Sequence, residues 1–503
     1  MSLRTITSRR AITALAASCA AAALAVTPAG AAPADLAATI DGDAVNRHLI
    51  AFQRIADQNG GNRASGQPGY EASVDYVVDK LRRAGFDVTT PEFTYEAYFE
   101  DSSSLSVGGQ PTEGDVMEYS PSTPEGGLTA PLSVLPVDDT PGCEATDYDG
   151  TDVTGTVVLI QRGACDFAVK QQIAADAGAV GAIIYNNVEG ALNGTLGDAD
   201  AGRVPTVGVT KEVGEALAGQ AGAEVQLDIQ ARLETVTTRN VIAQTKTGRT
   251  DNVVMAGAHL DGVPDGPGIN DNATGSAGLL ETALKMGGSP DVENAVRFAW
   301  WGAEESGLVG STKYVQSLTF EQQLDIALYV NFDMIGSPNA GYFVYDGDGS
   351  TGGPEGPQGS GQIKEDFLAA MAEQGIEAEP SEFNGRSDYG EFIAVGIPSG
   401  GMHTGVEDLK TEEQAAKWGG TAGIAFDPNY HAAGDDLSNV DRVALERMTK
   451  GIAEVVQAYA QSTEAVNGMQ SREERAELRA AQATLMAQST AQAPKVGHGH
   501  DLS

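Results

Sequence analysis

The stretch from Val253 to Gly336 decides the fold, because it holds three apolar runs that each end at polar residues. Short apolar runs rich in β-forming residues, separated by segments of helical length, are typical of buried parallel strands. In an open parallel sheet, ligands bind in the crevice beyond the carboxyl ends of the strands. We therefore expect the polar residues to share one rim of a sheet. The runs are VVMAGA (253–258), ending at His259 and Asp261; VRFAWW (296–301), ending at Glu304 and Glu305; and ALYVNF (327–332), ending at Asp333.

Two further segments bring metal-type side chains to this rim. Asp271 lies in the tight loop GINDNATG (268–275), and His431 lies in FDPNYH (426–431), which can fold back over the sheet. For Asp271, the alternative is the N-cap of the helix that begins at Gly275. Glu304 and Glu305 are neighbours and point in different directions, so one can bind metal while the other faces bound water. That division fits a ligand plus a general base.

The rim predicts a catalytic site with two metal ions. Two histidines and three carboxylates suit zinc or a similar first-row ion with open positions for water. Five ligands are too many for one open tetrahedral site, but sharing Asp271 divides them into two sites of three. Two ions about 3.5–4 Å apart can clamp the attacking and leaving oxygens. The other histidines of the chain carry less weight; His498 and His500 lie in a tail where we expect a bystander pair.

Composition limits the partners and the compartment. The chain has 503 residues, enough for two or three domains, and 70 Asp+Glu against 31 Lys+Arg. This acidic balance repels nucleic acid and anionic lipid, so we expect neither as a partner. Arg4, Arg9 and Arg10 precede an apolar run and a small-residue site near Ala32, the pattern of a cleaved export signal. We expect a secreted monomer; lipidation at Cys19 is the disfavoured alternative, because Ala16 is not the usual large aliphatic residue.

The two cysteines that remain after signal removal, Cys143 and Cys165, predict a disulfide in an oxidising compartment, with two buried thiols as the alternative. Two segments with an α/β pattern flank a unit that has a different pattern. We expect a signal peptide (1–32), an N-terminal part of the main domain (33–112), a second unit (113–235), the main domain (236–461) and a tail (462–503) that is disordered or processed.

The second unit resembles the protease-associated (PA) domain. The resemblance is carried by GTVVLIQRGACDF (155–167) and VPTVGV (204–209). PA domains occur as insertions or lids on peptidases and help to gate substrates, which is what the likeness implies here. The alternative is a passive β-rich appendage, because the unit has no histidine and no acids clustered at a strand end.

The main domain resembles the M28 family of zinc aminopeptidases, especially the secreted Streptomyces-type enzyme. The resemblance covers residues 239–460 and, more weakly, 44–100. It implies an α/β fold with a mixed, largely parallel central sheet and helices on both faces, to which the β-rich PA domain is added as an insertion. The motifs are His259-x-Asp261, NDNATG (270–275), WGAEESGLVGS (301–311), NFDMIGS (331–337) and DPNYH (427–431).

The resemblance also implies a role for each residue. His259 and Asp333 would hold one zinc, Glu305 and His431 the other, and Asp271 would bridge the two ions. Glu304 would be the general base, Tyr430 would hydrogen-bond the oxyanion, and Asp261 would orient His259. Arg386 matches the segment that helps to hold the substrate, and Met334 is a candidate wall of an apolar pocket for the first side chain.

Two departures from the family pattern concern the loop of Tyr430 and the bound ions. The homologues carry a paired cysteine where Asn429 stands, and here Asn429 and Gly434 leave no such bridge, so this loop is held differently. Calcium, which some relatives bind, is suggested only by Asp435-Asp436 and is not supported otherwise.

The predicted function is a secreted two-zinc aminopeptidase. It would remove N-terminal, apolar, leucine-like residues from peptides with a free N-terminus by attack of a metal-bound hydroxide. A carboxypeptidase with the same metal centre is the first alternative, but it needs several basic residues at the rim, and only Arg386 stands there. The second alternative is a non-catalytic binding protein on the same scaffold, which would be expected to lack a ligand or the base.

Overall fold

The computed structural model describes residues 35–188, 190, 192, 194–468, 473–481 and 484. The predicted signal peptide, Cys19, His498 and His500 lie outside the described residues. The strands are β1 (Asp87–Thr89), β2 (Glu92–Val107), β3 (Gln110–Thr112), β4 (Asp115–Val116), β5 (Leu128–Val134), β6 (Val157–Gln161), β7 (Gly181–Tyr185), β8 (Thr206–Val209), β9 (Glu224–Arg239), β10 (Val241–Gln244), β11 (Arg249–His259), β12 (Asn294–Trp301), β13 (Ile326–Phe332), β14 (Phe343–Tyr345), β15 (Glu379–Ser381) and β16 (Ser399–His403).

Helices connect these strands and cover the sheets. They are α1 (Gly42–Gln58), α2 (Pro68–Arg83), α3 (Phe167–Asp176), α4 (Lys211–Ala218), α5 (Gly275–Met286), α6 (Val309–Ser317), α7 (Phe320–Leu324), α8 (Ser360–Glu373), α9 (Gly390–Ala394), α10 (Glu412–Trp418), α11 (Arg442–Gln461) and α12 (Glu464–Asn467). Residues 473–481 of the tail are also helical. No helix within the described ranges is long and apolar enough to cross a membrane.

The first sheet is mixed and largely parallel, as predicted. Its strand order is β1-β10-β12-β11-β13-β16-β14-β15. The four central strands β12, β11, β13 and β16 are parallel. The pairs β1–β10, β10–β12 and β14–β16 are antiparallel, and the pair β14–β15 at the edge is parallel. The three apolar runs of the sequence form β11, β12 and β13. Their carboxyl ends therefore lie at one edge, where the polar residues follow.

Helices pack on both faces of this sheet, because successive side chains of a buried strand point to opposite faces. Phe298 and Trp300 of β12 face a core formed with α1, α2, α5, α8 and α11. Trp301 on the same strand faces the other core, which contains Val315 of α6 and Phe392 of α9. An apolar run without alternation is the expected sequence of a strand that is covered on both sides.

The N-terminal segment consists of two helices, α1 and α2. The helix α1 ends at Gln58, where Gly60 and Gly61 take positive φ values of 88° and 90°. Such values suit glycine and stop a helix. Pro68 then occupies the first position of α2. The intervening loop carries Arg63, which becomes important at the functional site.

The second sheet is the PA-like unit. Its order is β3-β2-β9-β5-β6-β7-β8-β4, with β5 to β8 parallel and the long strands β2 and β9 antiparallel. Glu92 pairs with Arg239 and Val107 pairs with Val225, so the unit is wider than the expected range 113–235. The Ser-rich and Gly-rich composition after Asp101 suggested a loop. Pairing with β9 instead keeps this segment extended, which is tertiary context overriding local propensity.

The predicted disulfide between Cys143 and Cys165 is present and closes a separation of 22 residues. It joins the segment before β6 to the start of α3. The buried ammonium of Lys170 on α3 donates to the carbonyl oxygen of Pro141, next to the same bridge. Together these contacts fix the loop between β5 and β6 against the helix.

Loss of the disulfide is expected to destabilise the PA-like unit. Closing a loop of this length restricts the unfolded chain by about 3 kcal/mol in the chain-entropy description. We expect the Cys143→Ser/Cys165→Ser variant to unfold at a lower urea concentration, as measured by circular dichroism. An unchanged unfolding midpoint would show that the bridge adds nothing to stability.

Candidate metal centre

The strand ends bring the predicted rim residues together. His259 is the last residue of β11 and pairs with Trp301, the last residue of β12. On the other side of β11, Gly257 pairs with Asn331 of β13, two residues before Asp333. Because these strands are parallel and nearly in step, the residues that follow them meet at one edge.

One group of ligands forms around His259. Its Nε2 lies 3.1 Å from Asp333 Oδ1 and 3.2 Å from Asp271 Oδ1. His259 is 1% exposed and Asp271 is 5% exposed, so these charges are removed from water. A buried imidazole with two carboxylates at this spacing has the donor set of a zinc ligand group.

A second group forms around His431 and uses the other oxygen of Asp271. His431 Nε2 lies 3.3 Å from Asp271 Oδ2 and 3.0 Å from Glu305 Oε2. Asp271 therefore stands between the two histidines with one oxygen toward each. Three clusters of candidate ligands occur among the described residues, and within each one the ligand atoms lie within 4.8 Å of one another: His259-Asp271-Asp333, Asp271-Glu305-His431 and His259-Glu304-Glu305. The first two clusters share Asp271.

Asp271 does not cap a helix. It lies in an irregular turn, Ile269–Thr274, that precedes α5. Asn272 Oδ1 accepts the N–H of Gly275 at 2.9 Å and that of Met334 at 3.1 Å, so Asn272 ties the start of α5 to the residue after Asp333. The capping role considered for Asp271 is thus filled by its neighbour, and the Asp271 carboxylate is left for the rim.

Buried acids lie close together at the rim, and they shift the pKa values of its histidines and glutamates. Burial opposes the charged form of both histidines, but the surrounding carboxylates outweigh it; the pKa of His259 lies well above its usual value and that of His431 is raised to about 10. Burial raises the pKa of Glu304 well above its usual value, and burial also raises the pKa of Glu305. The excess of buried carboxylates at the rim favours binding of a cation, and the nitrogen and oxygen donors fit zinc.

Asp261 is buried behind the rim and holds the backbone of both glutamates. Its carboxylate accepts the N–H of Glu304 at 3.3 Å and that of Glu305 at 3.4 Å. Its Oδ1 is 3.7 Å from His259 Nδ1, beyond hydrogen-bond distance, although this is the contact expected for an orienting residue. Among the contacts that the structure describes, the clearest effect of Asp261 is on the segment that carries Glu304 and Glu305.

Tyr430 and Arg386 meet at the other side of the rim. The ring of Tyr430 stacks on His431 with centroids 3.8 Å apart. Arg386 donates to Tyr430 Oη at 3.3 Å and to Glu407 Oε1 at 2.5 Å. Because Glu407 already neutralises Arg386, this guanidinium is not a free anion-binding group facing the cavity.

A cavity of about 90 Å³ opens beside the two ligand groups. Met334 lines it, together with the apolar surfaces of Tyr345 and Val406. The remaining lining is polar. The polar lining residues are His259, Asp271, Glu304, Asp333, Ser381, Asn384, Arg386, Ser387, His403, Asp408 and Tyr430.

Two residues hold the backbone near the ligands in roles that the sequence did not predict. Arg63 is fully buried and donates to the carbonyl oxygens of Leu260, Pro267 and Gly268, so it holds the loop between His259 and Asp271. Asp435 accepts the N–H of Asp271 at 3.0 Å. Neither role could be recognised from the sequence, because each residue binds backbone groups that are distant along the chain. The metal-type clusters among the described residues do not include Asp435 or Asp436, which had suggested calcium.

Comparison with known proteins agrees with this geometry. Residues 240–456 match Peptidase family M28, and residues 128–217 match the PA domain. The chain is 51% identical over 433 residues to the probable lipoprotein aminopeptidase LpqL of Mycobacterium tuberculosis, covering 85% of this chain and 86% of that one. It is 44% identical over 454 residues to an aminopeptidase of Pseudomonas aeruginosa, covering 86% and 84%.

Solved structures show the same architecture. The aminopeptidase from Aneurinibacillus sp. strain AM-1 superposes with a TM-score of 0.71 at 29% identity, over 86% of this chain and 97% of that one. BSAP, a zinc aminopeptidase from Bacillus subtilis, gives 0.62 at 25% identity, over 84% and 97%. From its sequence matches, its sheet and its rim, the chain belongs to peptidase family M28 and contains a PA domain.

Proposed function

We propose that this chain is a secreted two-zinc aminopeptidase that removes N-terminal residues, leucine-like ones among them, from peptides. The enzyme class, a metallo-aminopeptidase, is confirmed by the family and by the aminopeptidase names of the relatives. The observation that carries the two-ion proposal is the position of Asp271, with one carboxylate oxygen 3.2 Å from His259 and the other 3.3 Å from His431.

Each ion would have three protein ligands and open positions for water and substrate. His259 and Asp333 would hold one ion, Glu305 and His431 the other, and Asp271 would bridge them. Zinc bound here supplies a Lewis acid that lowers the pKa of water and polarises a carbonyl oxygen. The ligand groups are at least partly buried, which strengthens that effect because bulk water screens it less.

Glu304 is the proposed general base. Its carboxyl lies 3.9 Å from His259 Nε2, it lines the cavity, and burial raises its pKa well above the usual value. A carboxylate in this position accepts a proton from water during attack on the peptide carbonyl and returns it to the departing amine. Asp261 holds the Glu304 backbone in place for this transfer.

Tyr430 is the proposed donor to the oxyanion. Burial keeps its pKa well above the usual value, so the hydroxyl stays protonated at neutral pH and can donate a hydrogen bond. Arg386 lies 3.3 Å from the same hydroxyl oxygen and fixes its position, with Glu407 fixing Arg386 in turn. The substrate α-amine would meet the acids of the rim, and Met334 would contact the first side chain.

The proposals about export and about binding partners rest on the disulfide and on the composition of the chain. A disulfide suits an oxidising compartment, as does the basic and apolar N-terminal sequence. The strongly acidic composition disfavours nucleic acid and anionic membranes as partners. We therefore propose that the enzyme acts outside the cytoplasm as a monomer on peptides that have a free N-terminus.

Removal of metal tests the two-ion proposal. We expect a chelator to abolish hydrolysis of leucine-p-nitroanilide and zinc to restore it, with about two zinc ions per chain by elemental analysis of the active sample. Retention of activity after complete removal of metal would overturn the proposal.

The general-base assignment is tested by Glu304→Gln. This change keeps the size of the side chain but removes the proton acceptor, so kcat should fall by about 10²–10⁴-fold while zinc content stays the same. Glu413→Gln, at an exposed acid of α10, is the matched control and should retain wild-type turnover. A Glu304→Gln enzyme with normal kcat would exclude Glu304 as the base.

Blocked substrates separate the aminopeptidase from the carboxypeptidase alternative. The structure disfavours the latter, because Arg386 is already paired with Glu407. We expect hydrolysis of leucyl dipeptides whose carboxyl end is amidated and none of dipeptides whose amino end is acetylated. The reverse preference, measured by product chromatography, would favour the carboxypeptidase.

A further inference from the structure

The side chain of Asn439 lies at the centre of a buried hydrogen-bond network behind the rim. Asn439 is 2% exposed and ends the short turn Leu437–Asn439. Its Nδ2 donates to Asp427 Oδ1 at 2.9 Å and to Asp435 Oδ1 at 3.0 Å, and its Oδ1 accepts from Asn429 Nδ2 at 2.7 Å. Ionised carboxylates only accept hydrogen bonds, so the orientation of this amide is set by its partners.

One branch of the network reaches the bridging ligand. The two oxygens of Asp435 accept the N–H of Asn270 at 2.7 Å and the N–H of Asp271 at 3.0 Å. Asp427 accepts from Asn270 Nδ2 at 2.7 Å. Asp435 therefore fixes the backbone that carries the Asp271 carboxylate, Asp427 holds the Asn270 side chain, and Asn439 supplies a hydrogen bond to each of these two acids.

The other branch reaches the loop that carries Tyr430 and His431. Asp427 begins this loop and also accepts the N–H of Asn429 at 2.9 Å. Asn429 in turn contacts Asn439 through its own side chain. Asn439 thus donates to both of the acids, Asp427 and Asp435, that join the His431 loop to the turn of Asp271.

The His431 loop can accept an engineered disulfide. A Cβ built at Gly434 would lie 3.5 Å from Asn429 Cβ. Disulfides have Cβ–Cβ distances of about 3.5–4.5 Å. Cysteines at positions 429 and 434 are therefore placed to form a bridge.

We propose that Asn439 is a positioning residue that holds the His431 loop and the Asp271 turn in one arrangement, so that both metal sites form together. The proposal rests on the proposed function, since it takes Asp271 and His431 as zinc ligands. Without Asn439, the buried carboxylates of Asp427 and Asp435 each lose a donor and are left facing one another. The two acids then hold the turn of Asp271 less firmly against the loop, and the zinc ions are released faster.

The test is the rate at which the zinc-loaded enzyme releases metal to a chromogenic chelator. Asn439→Leu keeps the volume and removes the hydrogen bonds, and we expect zinc release to become about 10–100-fold faster. We also expect a larger change in kcat than in KM, because Tyr430 and His431 lie on the loop that Asn439 helps to hold. Release at the wild-type rate from folded Asn439→Leu would overturn the proposal.

Asn252→Leu is the matched control. Asn252 is also buried and hydrogen-bonded, to Asn294 and Thr463, but it lies toward the opposite end of β11 from His259. This variant should melt at a lower temperature yet release zinc at the wild-type rate. Equally fast zinc release from Asn252→Leu would show that general destabilisation, and not Asn439, controls the metal.

A disulfide within the His431 loop provides a second test, because it restrains the loop without tying the loop to the turn of Asp271. In the Asn429→Cys/Gly434→Cys background, once thiol counting shows that the bridge has formed, we expect Asn439→Leu still to speed up zinc release. Equal release rates with and without Asn439 in this background would contradict its proposed role between the loop and the turn. Failure of the proposed function itself would look different, because the wild-type protein would then hold no zinc.

Discussion

Burial of several carboxylates around the single side chain of Asp271 is the constraint on which the rest of the site depends. Asp261, Asp271 and Glu304 are at most 5% exposed, and ionised groups at such positions require opposite charge or hydrogen-bond donors. His259 and His431 approach the two oxygens of Asp271, and their bonds hold the pKa of this carboxyl below its usual range although burial opposes that shift. The surrounding acids remain in excess, which is the electrostatic condition that favours binding of cations.

The fold satisfies this constraint through the strands that carry the ligands and through the contacts that hold their backbone. The parallel strands β11, β12 and β13 deliver ligands at their carboxyl ends, which is the general position of sites in open α/β sheets. Behind them, Arg63 fixes the carbonyl groups between His259 and Asp271, and Asp435 fixes the N–H groups of the Asp271 turn. These outer contacts orient the ligands before any ion arrives, and such preorganisation is what metal sites require of a protein.

The sequence was sufficient for the elements whose signal is local. Apolar runs that end at His259, Glu304 and Asp333 predicted the parallel strands and the shared rim, because strand burial and strand direction are encoded in a few adjacent residues. The role of His431 depended on resemblance, since no local pattern shows that its loop folds back over the sheet. Arg63 and Asn439 were missed, because their partners lie far away in sequence and a buried arginine or asparagine has no pattern of its own. The second half of β2, after Asp101, was missed for a similar reason, since pairing with β9 stabilises a Ser-rich segment whose local composition is typical of a loop.

The central claim is that Asp271 bridges two cations. A crystal structure with anomalous diffraction data collected on both sides of the zinc absorption edge tests it most directly. The account predicts two zinc peaks, one on each side of the Asp271 carboxylate, about 3.5–4 Å apart. A single peak, or peaks that do not contact Asp271, would contradict it.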